Sequence, residues 1–427
     1  MENKPNFINR DIFFKTAKHL ANKEITLIIG PRQVGKTVLL GQLKDYLITE
    51  KKVFPENIYN FNLDIIRDRE ALSNQTEFIR FIEQRSKKSK IYILVDEAQK
   101  VENAGVFFKG VYDSNLNVKL ALTGSSTLEI RSKIHESLAG RKRVFHLLPF
   151  AFNEILKFRN PDIFALINQK EALIEADKKK CAELFFDYCV YGGYPQAVLA
   201  EDPAEKGEYL KEIFTSYVEK DIIGFLRVEN ESNFIKLVSL LAAQIGQLAN
   251  IGELSALANT DRYTIGRYLS NLEKTFITFN LKPFYTNARQ EIVKAGKIYF
   301  IDNGLRNSSL DDFRVPFARR TDKGGLMENA ILKELLNLKY GRNFNLKFWR
   351  TKQKAEVDFI VEKGNELLPV EAKVNSASGK IGASLAGFIE RYSPKKALVV
   401  NMEYQGRRKI GRTEVHFILP YEMANFL

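Results

Sequence analysis

The chain has 427 residues, 45% of them apolar, and a formal net charge of +13. That length suits roughly two to four domains and that composition a full core, which excludes a disordered or fibrous chain. Two cysteines, Cys181 and Cys189, and four scattered histidines exclude a disulfide framework and a histidine-built zinc site, and they point to a reducing compartment.

The first predicted element is the apolar strand Ile25–Ile29. It runs into Gly30-Pro31-Arg32-Gln33-Val34-Gly35-Lys36-Thr37, a complete GxxxxGK[ST] phosphate-binding loop. Val38 then opens a helical stretch that continues through Leu47. Strand, glycine loop and helix together aim backbone N–H groups and a helix N-terminus at a triphosphate. A nucleoside triphosphate is the expected ligand, cradled by residues 30–38, with Lys36 reaching the β- and γ-phosphates and Thr37 holding Mg²⁺.

Strands are predicted next at Ile58–Leu63, Ile91–Val95, Val118–Leu122 and Val144–Leu148, mostly separated by helical patterns. The Lys/Ser-rich segment Arg85–Lys90 reads as an exposed turn before the second of these. That strand ends in Asp96-Glu97, the Walker B pattern. Asp96 is expected to hold Mg²⁺ and Glu97 to orient and deprotonate the attacking water. The strand through Thr123 ends in Gly124-Ser125-Ser126, whose Ser125 or Ser126 is the candidate γ-phosphate sensor. Arg141 precedes the last strand and is a candidate arginine finger, in cis or in trans.

These motifs resemble the AAA-type prokaryotic ATPases often called archaeal ATPases. The carrying residues are the phosphate loop, Val95-Asp96-Glu97-Ala98-Gln99, Leu122-Thr123-Gly124-Ser125-Ser126, Ser137-Leu138-Ala139-Gly140-Arg141, Pro149-Phe150-Ala151-Phe152-Asn153-Glu154 and Tyr191-Gly192-Gly193-Tyr194-Pro195. The resemblance runs through nearly the whole chain. It implies an α/β fold: a P-loop AAA-type parallel-sheet core, a helical lid, a winged helix and a C-terminal restriction-endonuclease-like domain of the PD-(D/E)xK type. It also implies that the turn at Pro195 packs near the adenine, and it makes a homo-oligomer with arginines reaching across subunits an expectation.

From Pro149 to about Val228 the periodicity is helical, with Lys170–Asp187 as one helix. Ile251–Ala258 reads as a short helix and Asn259-Thr260-Asp261 as a capped turn. A second helix buries Ile265, Tyr268, Leu269 and Leu272 and presents Arg262, Tyr263, Arg267 and Lys274. Two β-like runs follow, Thr275–Leu281 and Lys297–Ile301. This is a winged-helix pattern, which serves either in DNA contact or as a lid and protein-docking module.

Near the C-terminus Glu328 opens a helix beside Ile331, Leu332 and Leu335. Ala355–Val361 and Leu368–Lys373 read as two strands joined by a turn at Lys363-Gly364-Asn365. Alternation puts Glu371 and Lys373 on one face, with Asp358 beside Glu371. Asp358 and Glu371 are hard oxygen ligands for Mg²⁺ or Mn²⁺, and Lys373 would position the attacking water. Glu328 matches the helical acid of that constellation. A salt-bridged hairpin is the competing reading. Arg319–Leu427 holds 20 Lys and Arg against 12 Asp and Glu, which favours a polyanionic partner, DNA before RNA.

The expected domains are therefore 1–150 (ATPase core), 151–232 (lid), 233–315 (winged helix) and 316–427 (endonuclease-like). The expected activity is ATP hydrolysis coupled to a nucleic-acid-binding, Mg²⁺-dependent nuclease-like domain. The alternative is a nucleotide-dependent switch that docks proteins without cleaving nucleic acid. The N-terminus lacks a signal-peptide core, and the greasy stretch Leu237–Ala258 is broken by Gln244, Gln247, Asn250 and Glu253. A cytoplasmic protein with no membrane partner is expected.

Overall fold

The computed structural model describes residues 8–125, 138–223, 228, 230–285, 295–376 and 379–427. Ser126 and Ser137, named above, lie outside them. The chain divides into two compact units, one of residues 1–148 with 274–276 and one of residues 149–273 with 277–427.

The first unit is built on a five-stranded sheet in the order β2-β3-β4-β1-β5: β1 Ile25–Gly30, β2 Ile58–Asn62, β3 Ile91–Asp96, β4 Val118–Ser125 and β5 Lys142–His146. All four pairings are parallel. Strands covered on both faces need continuous apolar runs, and every residue of β1 is buried. Helix α1, Lys36–Thr49, follows β1 directly and buries Leu39, Leu40, Leu43 and Leu47. Helix α2, Ala104–Asp113, buries Phe107, Phe108 and Val111. Strand β5 begins two residues before the expected Val144. It is an edge strand, so Lys142 and Arg143 are tolerated in it.

The second unit opens with short helices. The expected Lys170 helix begins instead at Glu175 and runs to Tyr191 as α3. Lys170 has a left-handed φ of 60° just after the helix Pro161–Asn168, which breaks the helical path there. Glu231–Ala243 (α4), Ile251–Leu257 (α5) and Arg262–Lys274 (α6) follow. Strands β6 (Thr278–Pro283) and β7 (Lys297–Phe300) pair antiparallel, and the Leu248 segment bridges to Lys297.

Helix α7, Lys323–Gly341, buries Leu326, Ile331, Leu332 and Leu335. It leads into β8 Asn345–Arg350, β9 Glu356–Lys363 and β10 Glu366–Ala372. Helix α8, Ala383–Tyr392, then precedes β11 Lys396–Val400, β12 Gly406–Ile410 and β13 Thr413–Ile418. The sheet order is β12-β13-β11-β10-β9-β8-β6-β7. Lys282 and Pro283 of β6 pair with Lys347 and Phe348 of β8, so one eight-stranded sheet crosses the expected 315/316 boundary. The segments 151–232 and 316–427 fall within this unit, as does 233–315 apart from residues 274–276, which belong to the first. Among the described residues no helix is long and apolar enough to cross a membrane.

Candidate nucleotide site and C-terminal acidic cluster

The loop Gly30–Thr37 stands at the carboxyl end of β1, where ligands of parallel sheets bind. Its two glycines answer different demands. A Cβ on Gly30 would lie 1.9 Å from the Leu147 carbonyl oxygen, because the chain after β5 passes there and the Leu147 N–H donates to Ile29 O at 2.8 Å. Gly35 meets nothing, but its φ is +91°. Gln33 is also left-handed, at φ 59°. The buried Arg10 fastens the loop: its guanidinium donates to Val34 O at 3.0 Å and Leu148 O at 2.6 Å.

Lys36 is 5% exposed. Its ammonium donates to Pro31 O at 2.7 Å and Gly30 O at 3.2 Å. Burial pulls its pKa down to about 8, and the carboxylates of Glu97 and Asp96 oppose that pull. Val38 follows on the exposed side of α1.

Asp96 ends β3 and is buried. The Thr37 hydroxyl donates to its Oδ2 at 2.6 Å, and the Thr123 hydroxyl to its Oδ1. Thr123 also accepts the Glu97 N–H at 3.1 Å. Thr123 is in β4, so this one hydroxyl holds the Asp96 carboxylate and the backbone of Glu97 together. Glu97 has a left-handed φ of 55°, a conformation that costs a β-unbranched acid about 1 kcal/mol or more and gathers at functional sites. Gln99 Nε2 donates to Glu97 Oε2 at 2.5 Å. Thr37 and Asp96 offer two adjacent hard oxygens, a donor set suited to Mg²⁺.

Sequence reasoning placed the sensor at Ser125 or Ser126 and gave Thr123 no role. Its signal was a polar residue at the end of an apolar strand. Arg10 had no local signal at all. Ser125 closes β4. Arg141 requires a correction. Ile25 N–H donates to Arg141 O at 2.9 Å, which puts Arg141 at the amino end of β1, opposite the phosphate loop. Its guanidinium pairs with Asp113, Nε to Oδ1 at 2.7 Å. A cis finger is thereby removed. Pro195 belongs to the second unit, at the start of the helix Pro195–Leu199. The Gly193 N–H before it donates to the buried Asp302 at 2.8 Å.

The C-terminal acids gather within the second unit. Val370 pairs with Phe359, so the register continues to Glu371 opposite Asp358 on one face. The Ala372 N–H donates to Asp358 Oδ2 at 2.8 Å. Lys373 Nζ lies 2.5 Å from Glu371 Oε1. Glu371 Oε2 is buried without a hydrogen-bond partner among the described residues. Burial, then the negative charge of Glu328, pushes the Asp358 carboxyl well above the usual carboxylate range.

Three residues to which the sequence reading gave no role complete the cluster. Lys297 Nζ lies 3.1 Å from Glu328 Oε1 and 2.5 Å from Glu356 Oε1, and Tyr299 donates its hydroxyl to Glu328. Among the described residues no three or more His, Cys, Asp or Glu side chains are arranged to hold a metal.

Three segments of the chain match known protein families. Residues 22–156 match the family model of an AAA domain. With the loop and Asp96 already in place, this decides the first part of the chain. It is a P-loop domain of the AAA type, equipped to bind ATP. Residues 182–314 and 323–423 match two domains of unknown function, DUF8612 and DUF4143. An uncharacterized protein of Haemophilus influenzae is 28% identical over 87% of this chain and 86% of its own length. One of Methanocaldococcus jannaschii is 29% identical over 88% and 80%. Among solved structures, the Aeropyrum pernix ORC2 protein in its ADP form has a TM-score of 0.37 at 11% identity, covering 73% of this chain and 98% of its own. Domain III of the Thermotoga maritima replication initiation protein DnaA has a TM-score of 0.29 at 15% identity, covering 50% and 89%.

Proposed function

We propose that the AAA domain hydrolyses ATP and that the second unit acts on nucleic acid. The observation that carries the first half is the division of Asp96 between Thr37 and Thr123. It fixes a carboxylate beside the phosphate loop and, through Thr123, aims the Glu97 backbone. In this reading Lys36 exchanges two loop carbonyls for the β- and γ-phosphates. Thr37 and Asp96 hold the Mg²⁺ that accompanies ATP, which neutralises phosphate charge. Glu97 takes the proton of the attacking water, while Gln99 limits its rotation. Any arginine finger comes from another copy, with Arg141 as the candidate.

Glu97→Gln is the test. A general base contributes roughly 10²–10⁴ in rate, so turnover falls at least about a hundredfold while ATP still binds. Unchanged turnover removes Glu97 from this role.

The nucleic-acid half is supported by three features. Arg262, Tyr263 and Arg267 are exposed on the face of α6 opposite buried Ile265, Tyr268 and Leu272. Strand β12 exposes Arg407, Arg408 and Lys409 at a sheet edge. Asp358, Glu371 and Lys373 converge, and the Glu371 oxygen that has no partner among the described residues suits a divalent cation, Mg²⁺ or Mn²⁺. That ion would polarise a scissile phosphate. Binding to DNA and RNA measured against salt tests the contact, because counterion release weakens it steeply. Cleavage lost in Asp358→Ala supports the nuclease reading, and cleavage equal in both proteins rejects it.

A further inference from the structure

We infer that Lys297 is the resident cation of the C-terminal acidic site, so that Glu328 is engaged internally and only Asp358 and Glu371 remain to take a single hard divalent ion. This deepens the metal-site reading above and rests on it.

Lys297 is 2% exposed and Glu371 is 5% exposed. An ammonium enters such a position only where fixed negative charge outweighs its loss of water. Here Glu328 and Glu356 both contact it, and Tyr299 donates to the same Glu328 oxygen. Glu328 therefore already serves an ammonium and a phenol. Glu356 is similarly engaged, between Lys297 and Arg350, whose Nη1 lies 2.8 Å away. The four carboxylates Glu328, Glu356, Asp358 and Glu371 face three cations, Lys297, Arg350 and Lys373. The unmet demand sits at Glu371 Oε2, the buried oxygen with no partner among the described residues. The cluster's formal charge is −1, so one divalent ion bound there and at Asp358 already brings it to +1. A second ion would have to displace Lys297.

Lys297 comes from β7, outside the 323–423 match, so a strand of the expected winged-helix segment 233–315 completes the site. The Leu248 segment bridges to this same residue.

The test is Mn²⁺ binding by the full chain, followed by electron paramagnetic resonance of the free ion. An Asp96→Asn background silences the nucleotide site. The parent is expected to bind one ion, lost in Asp358→Asn. Lys297→Met is expected to bind Mn²⁺ at least about tenfold tighter or to gain a second ion, since one fixed positive charge has gone. Unaltered or weaker binding in a folded Lys297→Met protein overturns the inference. Should that variant not fold, Lys297→Met with Glu328→Gln keeps the local charge and replaces the buried pair by a neutral one. Binding within about threefold of the parent supports the inference. A tenfold loss makes Glu328 a ligand and overturns it. The metal-site reading fails separately, if Asp358→Asn leaves parental binding unchanged. A parent that binds no ion rejects both the reading and the single-ion inference that rests on it.

Discussion

The chain has two sites that pair a buried lysine with carboxylates, and the lysines are in opposite states. Lys36 is bonded to backbone carbonyls, and burial pulls its pKa down to about 8. For Lys297 burial also opposes the charge, but Glu328, Glu356 and Asp358 outweigh it and hold its pKa above the ordinary value. The difference teaches what each site is prepared for. Loop carbonyls are weak placeholders, easily exchanged for phosphate oxygens, so Lys36 is held in reserve for an anion. Lys297 has already met its anions.

The largest expected effect is at the first lysine. Lys36→Ala removes the buried ammonium proposed to meet the phosphates, a change worth about 2–5 kcal/mol at a desolvated charge pair. ATP affinity measured calorimetrically should fall about a hundredfold or more. An affinity within threefold of wild type would mean that the reserve is illusory and that backbone N–H groups alone bind the nucleotide.

Next comes Thr123→Val, which keeps the shape and deletes the hydroxyl. Asp96 Oδ1 and the Glu97 N–H both lose a partner. Each lost buried bond costs about 1–3 kcal/mol, so kcat should fall roughly ten- to hundredfold with KM little altered. A KM rise at constant kcat would show that Thr123 serves binding only.

The pH dependence sharpens the contrast. A triphosphate restores the favourable partners of the Lys36 ammonium and raises its pKa again. Binding is therefore coupled to proton uptake once the free protein has lost that proton. ATP affinity should be flat below pH 7 and weaken above pH 8, the slope approaching tenfold per unit, about 1.4 kcal/mol. Lys36→Arg should abolish the slope, because a guanidinium does not titrate there. Calorimetry in buffers of different ionisation enthalpy checks it directly, and zero proton uptake at pH 9 would count against it.

How much of this was legible in the sequence follows from how local each constraint is. The phosphate loop was readable because Gly35 answers the demand of its own φ and because β1 and α1 flank the loop, although Gly30 answers a distant constraint, the Leu147 carbonyl. Asp96 and Glu97 were readable as the end of one apolar run. The hairpin that sets Asp358 beside Glu371 was readable because its turn is short. Thr123 was not, because its role needs the β3–β4 register. Arg10 lies 138 residues from the Leu148 carbonyl that it binds, and Lys297 lies 31 residues from Glu328. The end of the sheet at which Arg141 falls depends on β5 running parallel to β1, which no short window of sequence contains.

The smallest expected effect is at that arginine, and it bears on assembly more than on stability. Arg141 and Asp113 form a solvent-exposed pair, and such pairs contribute little to stability. Arg141→Ala should shift the melting midpoint by no more than a few degrees. Within one chain it stands at the wrong end of β1 to reach the phosphates, so hydrolysis by well-separated copies should be unchanged within about twofold. A neighbouring copy has no such restriction. If one copy presents Arg141 to the next, wild-type turnover per chain rises with protein concentration and the variant's does not. A deficit that persists at the highest dilution would require the arginine to act inside its own chain, which the position of its carbonyl against Ile25 does not allow.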